Sequence, residues 1–274
     1  MGAGKGLHGT TGPPSDPSTS ARRGDVWCGV GEVEVRQYRP ADRPAVRRIC
    51  FETGYMGDSI SWAWPDEDSF ADLFSSWYTD GEPESALVAD DRGEVVGYLL
   101  GCRDSRRMPI PTAAIRRHLL RRGLAIRPRT APLVWRSAFD LSRAAVRHQM
   151  PAAVTDDRWP AHLHIDLLPQ SRGKGLGRLL MRRWLDTLRD EATAGCHLET
   201  WAENDGAIAF FASMGFRAGG DPVPMPGVRS PEGHRHHTQL MVQSLMPAEP
   251  STPDEAAQPE ARQAQPATAP RGRR

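Results

Sequence analysis

The feature that most constrains this chain is an alternating segment that runs into a glycine-rich turn and then into an amphipathic helix. Residues 162–168 (HLHIDLL) alternate polar and apolar side chains, which predicts a half-buried strand. The turn at 172–177 (RGKGLG) follows, and its three glycines lack the Cβ atoms that would keep a ligand away from the backbone. The next apolar side chains repeat every four residues, as on the buried face of a helix: Leu176, Leu180, Trp184 and Leu188. A turn of this kind at the positive end of a helix predicts a pyrophosphate site.

The turn differs from the two common nucleotide-binding motifs. It lacks the GxxxxGK-Ser/Thr pattern of the P-loop, and Arg178 stands where the dinucleotide fingerprint requires glycine. Taken alone, the turn is also compatible with a purely structural role or with another phosphorylated ligand.

Composition excludes several classes of protein. The 274 residues are 39% apolar and 25% charged, which is typical of a globular protein. The net charge of +1 offers no strong field to nucleic acid or lipid, and no apolar run reaches the roughly 18 residues of a membrane span, so neither partner is expected. The four cysteines form no CxxC pair and the N-terminus has no apolar leader, which favours a cytoplasmic location.

The chain divides into three predicted parts. Residues 1–31 and 247–274 are poor in large apolar side chains and are predicted to be disordered tails. Residues 32–246 predict one α/β domain, in which a mixed, twisted sheet of six or seven strands carries helices on both faces. Within it, residues 103–160 show basic helical patterns and are interpreted as a helical insertion. A second helix is predicted from about residue 66 to 77, and the Pro/Gly/His-rich segment before the last strand is predicted to be a loop.

A second motif lies about 27 residues after the turn. It consists of Asn204, Ala207, Phe210, Phe211, Gly215 and Phe216, in the pattern NxxAxxFFxxxGF. Together with the RxxGxG pattern of Arg172, Gly175 and Gly177, it resembles the acyl-CoA signature of the GNAT superfamily of N-acetyltransferases. More narrowly, residues 162–175 resemble the acetyltransferase-like domain attached to O-GlcNAc hydrolases and its stand-alone bacterial relatives.

The resemblance implies an enzyme that moves an acetyl group from acetyl-CoA directly to an amine acceptor. In that family the turn holds the CoA pyrophosphate, the preceding splayed strand orients the pantetheine, and the second motif lines the CoA arm. The cofactor-binding residues implied are Leu167, Leu168, Arg172, Gly173, Lys174, Gly175, Leu176, Gly177, Arg178, Asn204 and Phe211. The acceptor, whether a small amine or a protein, is left open, as is a homodimer.

Phe211 departs from the family pattern. Many members place a tyrosine there as the general acid that reprotonates the leaving thiolate, and a phenyl ring cannot donate that proton. Either another group or solvent supplies the proton, or the protein is a catalytically weak or inactive acyl-CoA-binding module.

The strand before the turn supplies the candidate catalytic residues. Because side chains alternate between the two faces of a β-strand, His162, His164 and Asp166 are predicted to lie on the same face. An amine must lose a proton to attack a thioester, so Asp166 or His164 is the expected general base, with Glu199 on the next strand as the third candidate. These side chains could instead be structural polar groups. A metal site built on the HxHxD run is also an alternative, but none is expected, because Leu167 replaces the last histidine of that type of run.

Two further clusters have competing interpretations. Asp58, Asp66, Glu67 and Asp68 could favour a cationic acceptor, but an N-terminal charge pattern of the second helix is the favoured interpretation. The tryptophans at 62, 64 and 77 are interpreted as core residues rather than as walls of an acceptor pocket.

Overall fold

The computed structural model describes residues 26–30, 33–108, 112–147, 156–230 and 232–246, with the backbone alone at 26–30 and 112–114. The predicted tail at 247–274 and most of the one at 1–31 lie outside these residues. The strands are β1 (Val26–Val30), β2 (Val33–Gln37), β3 (Ala86–Asp91), β4 (Glu94–Cys102), β5 (Ala161–Leu167), β6 (Gly195–Trp201), β7 (Arg217–Ala218), β8 (Val223–Arg229) and β9 (Arg235–Ser244). The helices are α1 (Arg43–Thr53), α2 (Glu67–Phe74), α3 (Ser76–Gly81), α4 (Thr112–Arg122), α5 (Ala131–Val146), α6 (Leu176–Asp190) and α7 (Asp205–Ser213).

The strands form one mixed sheet, which confirms the predicted α/β class. Their order is β1-β2-β3-β4-β5-β6-β9-β7, and β8 pairs with β9. The β5–β6 pair is parallel, and the other pairs of described strands are antiparallel. Among the described helices, none is both long and apolar enough to cross a bilayer.

The prediction of six or seven strands was too low, because the described part of the chain contributes nine. Strand β1 lies inside the predicted tail, where it pairs with β2 despite its glycine-rich surroundings. Strand β8 lies in the predicted loop: its prolines and Gly227 hide the pattern, and its pairing with β9 is interrupted by a register shift between Pro224 and Arg229. The predicted helix at about 66–77 is also divided in two, because the backbone leaves the helical region at Ser75, with φ −126°.

Helices cover both faces of the sheet. Leu163 and Leu167 of β5 lie on the side of α6, whose apolar face is buried, and the alternate residues lie on the side of α1 to α3. The region predicted as an insertion contains α4 and α5. Asp140 of α5 accepts a hydrogen bond from the backbone of Gly227 in β8 at 2.9 Å, which ties that helix to the sheet edge.

The packing of α6 on β4 depends on a residue without a side chain. A Cβ added to Gly101 would lie 2.6 Å from the ring of Trp184 and 2.7 Å from the carbonyl oxygen of Ser85. We therefore expect Gly101→Ala to lower the free energy of unfolding by about 1–3 kcal/mol, because the ring and the strand cannot both keep their places. Urea denaturation measures this change. Gly220→Ala, where a Cβ meets open space, is the control, and equal midpoints for the two variants would contradict the packing argument.

Candidate active site

The site is organised by two neighbouring strands that separate. β5 and β6 pair in parallel only at Ala161 with Cys196 and at His162 with His197. Beyond this point β5 continues along β4 as far as Leu167, while β6 continues along β9. The backbone edge of β5 from residue 163 onward therefore faces a gap in place of a neighbouring strand. This confirms the splay that the family resemblance implied for the strand before the turn.

The glycine-rich turn lies at the open end of this gap. Gly173 and Gly175 have φ of +72° and +80°, which glycine adopts without strain, and a Cβ at either position would meet nothing within 4 Å. Helix α6 begins immediately, and its first hydrogen bond runs from the amide of Leu179 to the carbonyl of Gly175 at 3.0 Å. The N–H groups of residues 175–178 consequently have no acceptor within the helix. They form a row of donors at the positive helix end, as an anion site requires.

The side chains around the turn have mainly positioning roles. The Nε of Arg172 donates to the carbonyl of Leu167 at 3.0 Å, and its guanidinium donates to the carbonyl of Gly57 at 2.5 Å. Arg178 reaches the hydroxyl of Ser213 at the end of α7. Lys174 is exposed on the turn, where its charge can approach a bound anion.

The second motif closes the other side of the gap. The side chain of Asn204 accepts a hydrogen bond from the amide of Ala207 at 3.0 Å and so caps α7. The ring of Phe210 would lie 3.3 Å from a Cβ at Gly177, which shows that α6 and α7 approach closely at that glycine. Phe211 is buried and packs edge-on against Phe216, with ring centroids 6.2 Å apart. Phe211 therefore contributes an apolar packing surface and has no proton to donate.

On the other face of β5, a chain of hydrogen bonds joins two of the predicted catalytic residues. The hydroxyl of Tyr98 donates to the Asp166 carboxylate at 2.6 Å, and the Nε2 of His164 lies 3.2 Å from the same oxygen. The Nδ1 of His164 lies 3.2 Å from the carbonyl oxygen of Phe74. Since both ring nitrogens face acceptors, the geometry favours an imidazolium. Burial alone would lower the pKa of His164, but the hydrogen bond and charge of Asp166 outweigh it and raise this pKa.

The remaining candidate, Glu199, has a different environment. It lies on β6 just after the strands separate, and among the described residues it has no hydrogen-bond or ion-pair partner. Its side chain is reachable from solvent, yet the surrounding protein removes part of its hydration, and this raises the pKa of Glu199. A partnerless carboxylate of raised basicity beside the gap is suited to accept a proton.

Sequence reasoning missed several aromatic residues around this face. Tyr78 lies with its hydroxyl 2.7 Å from Nδ1 of His162, and burial raises the pKa of that tyrosine well above its usual value. The ring of Tyr55 packs edge-on against the rings of Trp62 and Trp201, with centroid distances of 4.9 Å and 5.3 Å. Because these contacts join the segment after α1 to β6, no local pattern in the sequence signals them.

The two clusters with competing interpretations are resolved in part. Asp66 accepts a hydrogen bond from the amide of Ser69 at 3.0 Å, which confirms its role at the start of α2. Arg122 of α4 also pairs with Asp66 and with Asp68, each at 2.9 Å. Those charges are therefore compensated within the protein. The core interpretation was wrong for Trp62, which is exposed because it lies on the surface turn after α1.

The described residues contain no group of three His, Cys, Asp or Glu side chains arranged to hold a metal ion. The HxHxD run is occupied in other ways. His162 contacts Tyr78 and His197, while His164 and Asp166 contact each other.

Comparison with known proteins shows which family this architecture resembles. The model of the Acetyltransferase (GNAT) family matches residues 146–216, which include β5, the turn, α6, β6 and α7. The crystal structure of SsHAT is 28% identical, has a TM-score of 0.52, and the alignment covers 79% of this chain and all of SsHAT. The ribosomal-protein-S18-alanine N-acetyltransferase from Escherichia coli is 17% identical, with a TM-score of 0.46 and coverage of 80% and 98%. A phosphinothricin acetyltransferase from Sinorhizobium meliloti, in complex with AcCoA, is 19% identical, with a TM-score of 0.45 and coverage of 78% and 88%.

The matched segment contains both motifs and the gap between β5 and β6. By this match and by the likeness to SsHAT, residues 146–216 resemble the GNAT family of acetyltransferases, and the fold around them is GNAT-like.

The contact between His164 and Asp166 gives a first test of the site. We expect His164 to titrate above its ordinary pKa of 6.5 and Asp166→Asn to lower that pKa, because the amide carries no charge. The pKa of His197, which burial lowers, serves as the control. NMR titration of the imidazole resonances measures both.

The sign of the linked stability effect follows from the raised pKa. The stabilisation from protonated His164 is fully present below about 6.5 and is lost as the pH rises through the folded-state pKa. Asp166→Asn should remove this part of the pH dependence of unfolding. A His164 that titrates at or below 6.5 in the unaltered protein would contradict the assignment.

Proposed function

We propose that this protein transfers the acetyl group of acetyl-CoA directly to an amine acceptor. The observation that carries the proposal is the gap between β5 and β6, with the donor-rich turn at residues 172–177 at its open end. A cofactor with an anionic pyrophosphate at one end and an extended amide-containing arm fits such a site. The N–H groups of residues 175–178 would bind the pyrophosphate, and the free edge of β5 would bind the arm.

The residues proposed to contact the cofactor fall into three groups. Backbone groups of Leu167 and Leu168 end the free strand edge and orient the arm. Arg172, Gly173, Lys174, Gly175, Leu176, Gly177 and Arg178 form the pyrophosphate turn. On the opposite side, Asn204 fixes the start of α7, and Phe211 supports the helix surface that faces the arm.

The proposed transfer is a direct substitution at the thioester. The amine nitrogen attacks the carbonyl carbon, the C–S bond breaks, and an amide and the CoA thiolate result. The nitrogen gives up one proton, for which we propose Glu199 as the general base, because its carboxylate has no other partner in the part of the chain that the structure describes. The thiolate takes a proton from solvent, since Phe211 has none to give.

Asp166 and His164 remain the alternative base, but their contacts favour a supporting role. Asp166 already accepts a hydrogen bond from Tyr98 and faces His164, whose two ring nitrogens both face acceptors. The acceptor would approach on this face of the sheet, past the partly exposed rings of Tyr55 and Trp62.

Two narrower statements also belong to the proposal. The run His162-x-His164-x-Asp166 before the turn supports membership in the subgroup that resembles the acetyltransferase-like domain of O-GlcNAc hydrolases. The second candidate function, acyl-CoA binding without efficient transfer, is favoured by Phe211, which is buried and has no hydroxyl. Release of free CoA thiol in the presence of an amine separates the two functions.

The turn is tested by a charge placed among its donors. Gly175→Glu should reduce acetyl-CoA affinity by at least 100-fold (about 2.7 kcal/mol), because the carboxylate would face the phosphates where a Cβ now meets open space. Gly175→Ala is the matched control, since it adds the strain of a positive φ without charge. Calorimetric titration measures both variants. If Gly175→Glu binds as well as the unaltered protein, the turn does not hold the cofactor.

The base is tested by removal of its charge. Glu199→Gln should lower kcat by about 10²–10⁴-fold and leave acetyl-CoA affinity unchanged. Because the base must be deprotonated, kcat/KM of the unaltered enzyme should rise with pH through a pKa above the usual glutamate value of 4.5. This rise of kcat/KM with pH should be absent in Glu199→Gln. Asp166→Asn is the comparison. If the rise of kcat/KM with pH is lost in Asp166→Asn but not in Glu199→Gln, the general base is Asp166 or His164.

A further inference from the structure

Charge is distributed very unevenly along this chain. Residues 112–147, which contain α4 and α5, carry nine arginines, no lysine and one acidic residue, Asp140, and so have a net charge of +8. Since the whole chain has a net charge of +1, the remaining residues sum to −7. The near-neutral total, from which no lipid partner was expected, conceals a strongly cationic segment.

The same segment also holds most of the exposed apolar surface. Of the eleven large apolar side chains exposed among the described residues, seven lie between 115 and 146. Five of them have most of their surface in solvent: Leu120 at 77%, Ile126 at 84%, Trp135 at 64%, Phe139 at 67% and Val146 at 80%. Large apolar side chains gathered in one place, as here, mark an interaction surface more often than scattered ones do.

Three of these side chains, Trp135, Phe139 and Val146, form a continuous ridge on α5. At 100° per residue, Trp135, Phe139 and Val146 fall within about 40° of one another. Leu133 and Asp140 point the opposite way, where Leu133 is buried and Asp140 binds the backbone of β8. The indole N–H of Trp135 donates to the carbonyl of Ala125 at 3.1 Å, which brings Ile126 to the end of the ridge. Helix α5 thus has a second apolar face that the described part of the protein leaves uncovered.

Arginines flank this ridge. Arg136, Arg143 and Arg147 lie about 80–120° around the helix from Trp135, all on the same side. Among the described residues none of these three guanidinium groups has an ion-pair partner. In contrast, Arg122 and Arg127 of the same segment both pair with Asp66. The ridge therefore combines aromatic and aliphatic side chains with unneutralised positive charge along one flank.

We propose that the α5 ridge is a docking surface for an anionic lipid membrane. Aromatic and aliphatic side chains beside a row of arginines are the arrangement by which a helix lies in the interface of a bilayer, with the rings among the acyl chains and the guanidinium groups at the phosphates. This surface does not depend on the proposed acetyl transfer. The ridge would hold the protein at the surface of the membrane, and no segment of the protein would need to span the bilayer.

Other occupants fit less well. A second copy that paired α5 with α5 would bring like charges together, because Asp140 is the single acidic residue of the segment and is already bound. Nucleic acid would use the arginines but not Ile126 and Val146, which offer no ring for base stacking. Phe139 and Val146 also line a shallow apolar depression with Arg143 and Arg147. A protein partner would have to match the shape of this uneven surface, whereas flexible lipid acyl chains adapt to it.

Co-sedimentation of the full chain with vesicles tests the proposal. We expect binding to vesicles of phosphatidylcholine and phosphatidylglycerol in equal parts, at least tenfold weaker binding to phosphatidylcholine alone, and weakening of the former as salt is added. Phe139→Ser with Val146→Ser, and separately Arg143→Glu with Arg147→Glu, should each reduce binding at least tenfold. The matched controls are Val223→Ser on β8 and Arg182→Glu on α6, two exposed positions outside the segment, and both should bind as the unaltered protein does.

Circular dichroism and acetyl-CoA titration show whether each variant is folded, independently of lipid. The proposal is overturned if the unaltered protein does not sediment with the anionic vesicles at low salt, or if the Phe139 and Val146 double variant binds as well as the unaltered protein does. It is also overturned if light scattering shows a dimer that the same double variant dissociates, because the ridge would then be an interface between two copies. Failure of acetyl-CoA binding alone would affect the proposed function and leave this result unchanged.

Discussion

The separation of β5 from β6 is the constraint on which the rest of the site depends. The two strands share only the pairs Ala161 with Cys196 and His162 with His197, after which each follows a different antiparallel neighbour. A sheet normally satisfies its backbone groups with another strand, so an edge left open inside the sheet invites an extended ligand to take that place. The gap also gives both faces of the sheet access to the same point. An acyl donor and an acceptor could therefore meet there from opposite sides.

The surrounding elements position the helices and the turn that border this gap. Gly177 lets α6 approach α7 closely, and Arg172 ties the turn to the carbonyl of Gly57 in the loop after α1. On the far side, burial and hydrogen bonds divide the polar residues into two kinds. His164 and Asp166 contact each other, while Glu199 has no partner among the described residues and has a raised pKa. Three polar residues on neighbouring strands thus have different environments, and only that of Glu199 leaves its carboxylate without a contact in the described part of the chain.

The sequence predicted the centre of the fold better than its edges. Strand β5, the turn and α6 carry strong periodicity and glycine signals, so their arrangement followed from local rules. Strands β1 and β8 did not, because glycine and proline hide edge strands whose pairing is set by distant partners. The same limit applies to the site: the hydrogen bond from Tyr98 to Asp166 spans 68 positions, and no local pattern indicates it. The sequence analysis likewise missed the α5 ridge, since a total net charge does not report how charge is distributed along the chain.

Acetyl-CoA is proposed to bind in the gap between β5 and β6 with its pyrophosphate at the turn. Backbone amide NMR of the full chain, recorded with and without acetyl-CoA, tests this binding mode most directly. We expect the largest shifts at the amides of residues 173–178 and along residues 163–168, with little change on α5. Saturable shifts confined to another part of the protein, or no shifts at millimolar acetyl-CoA, would contradict it.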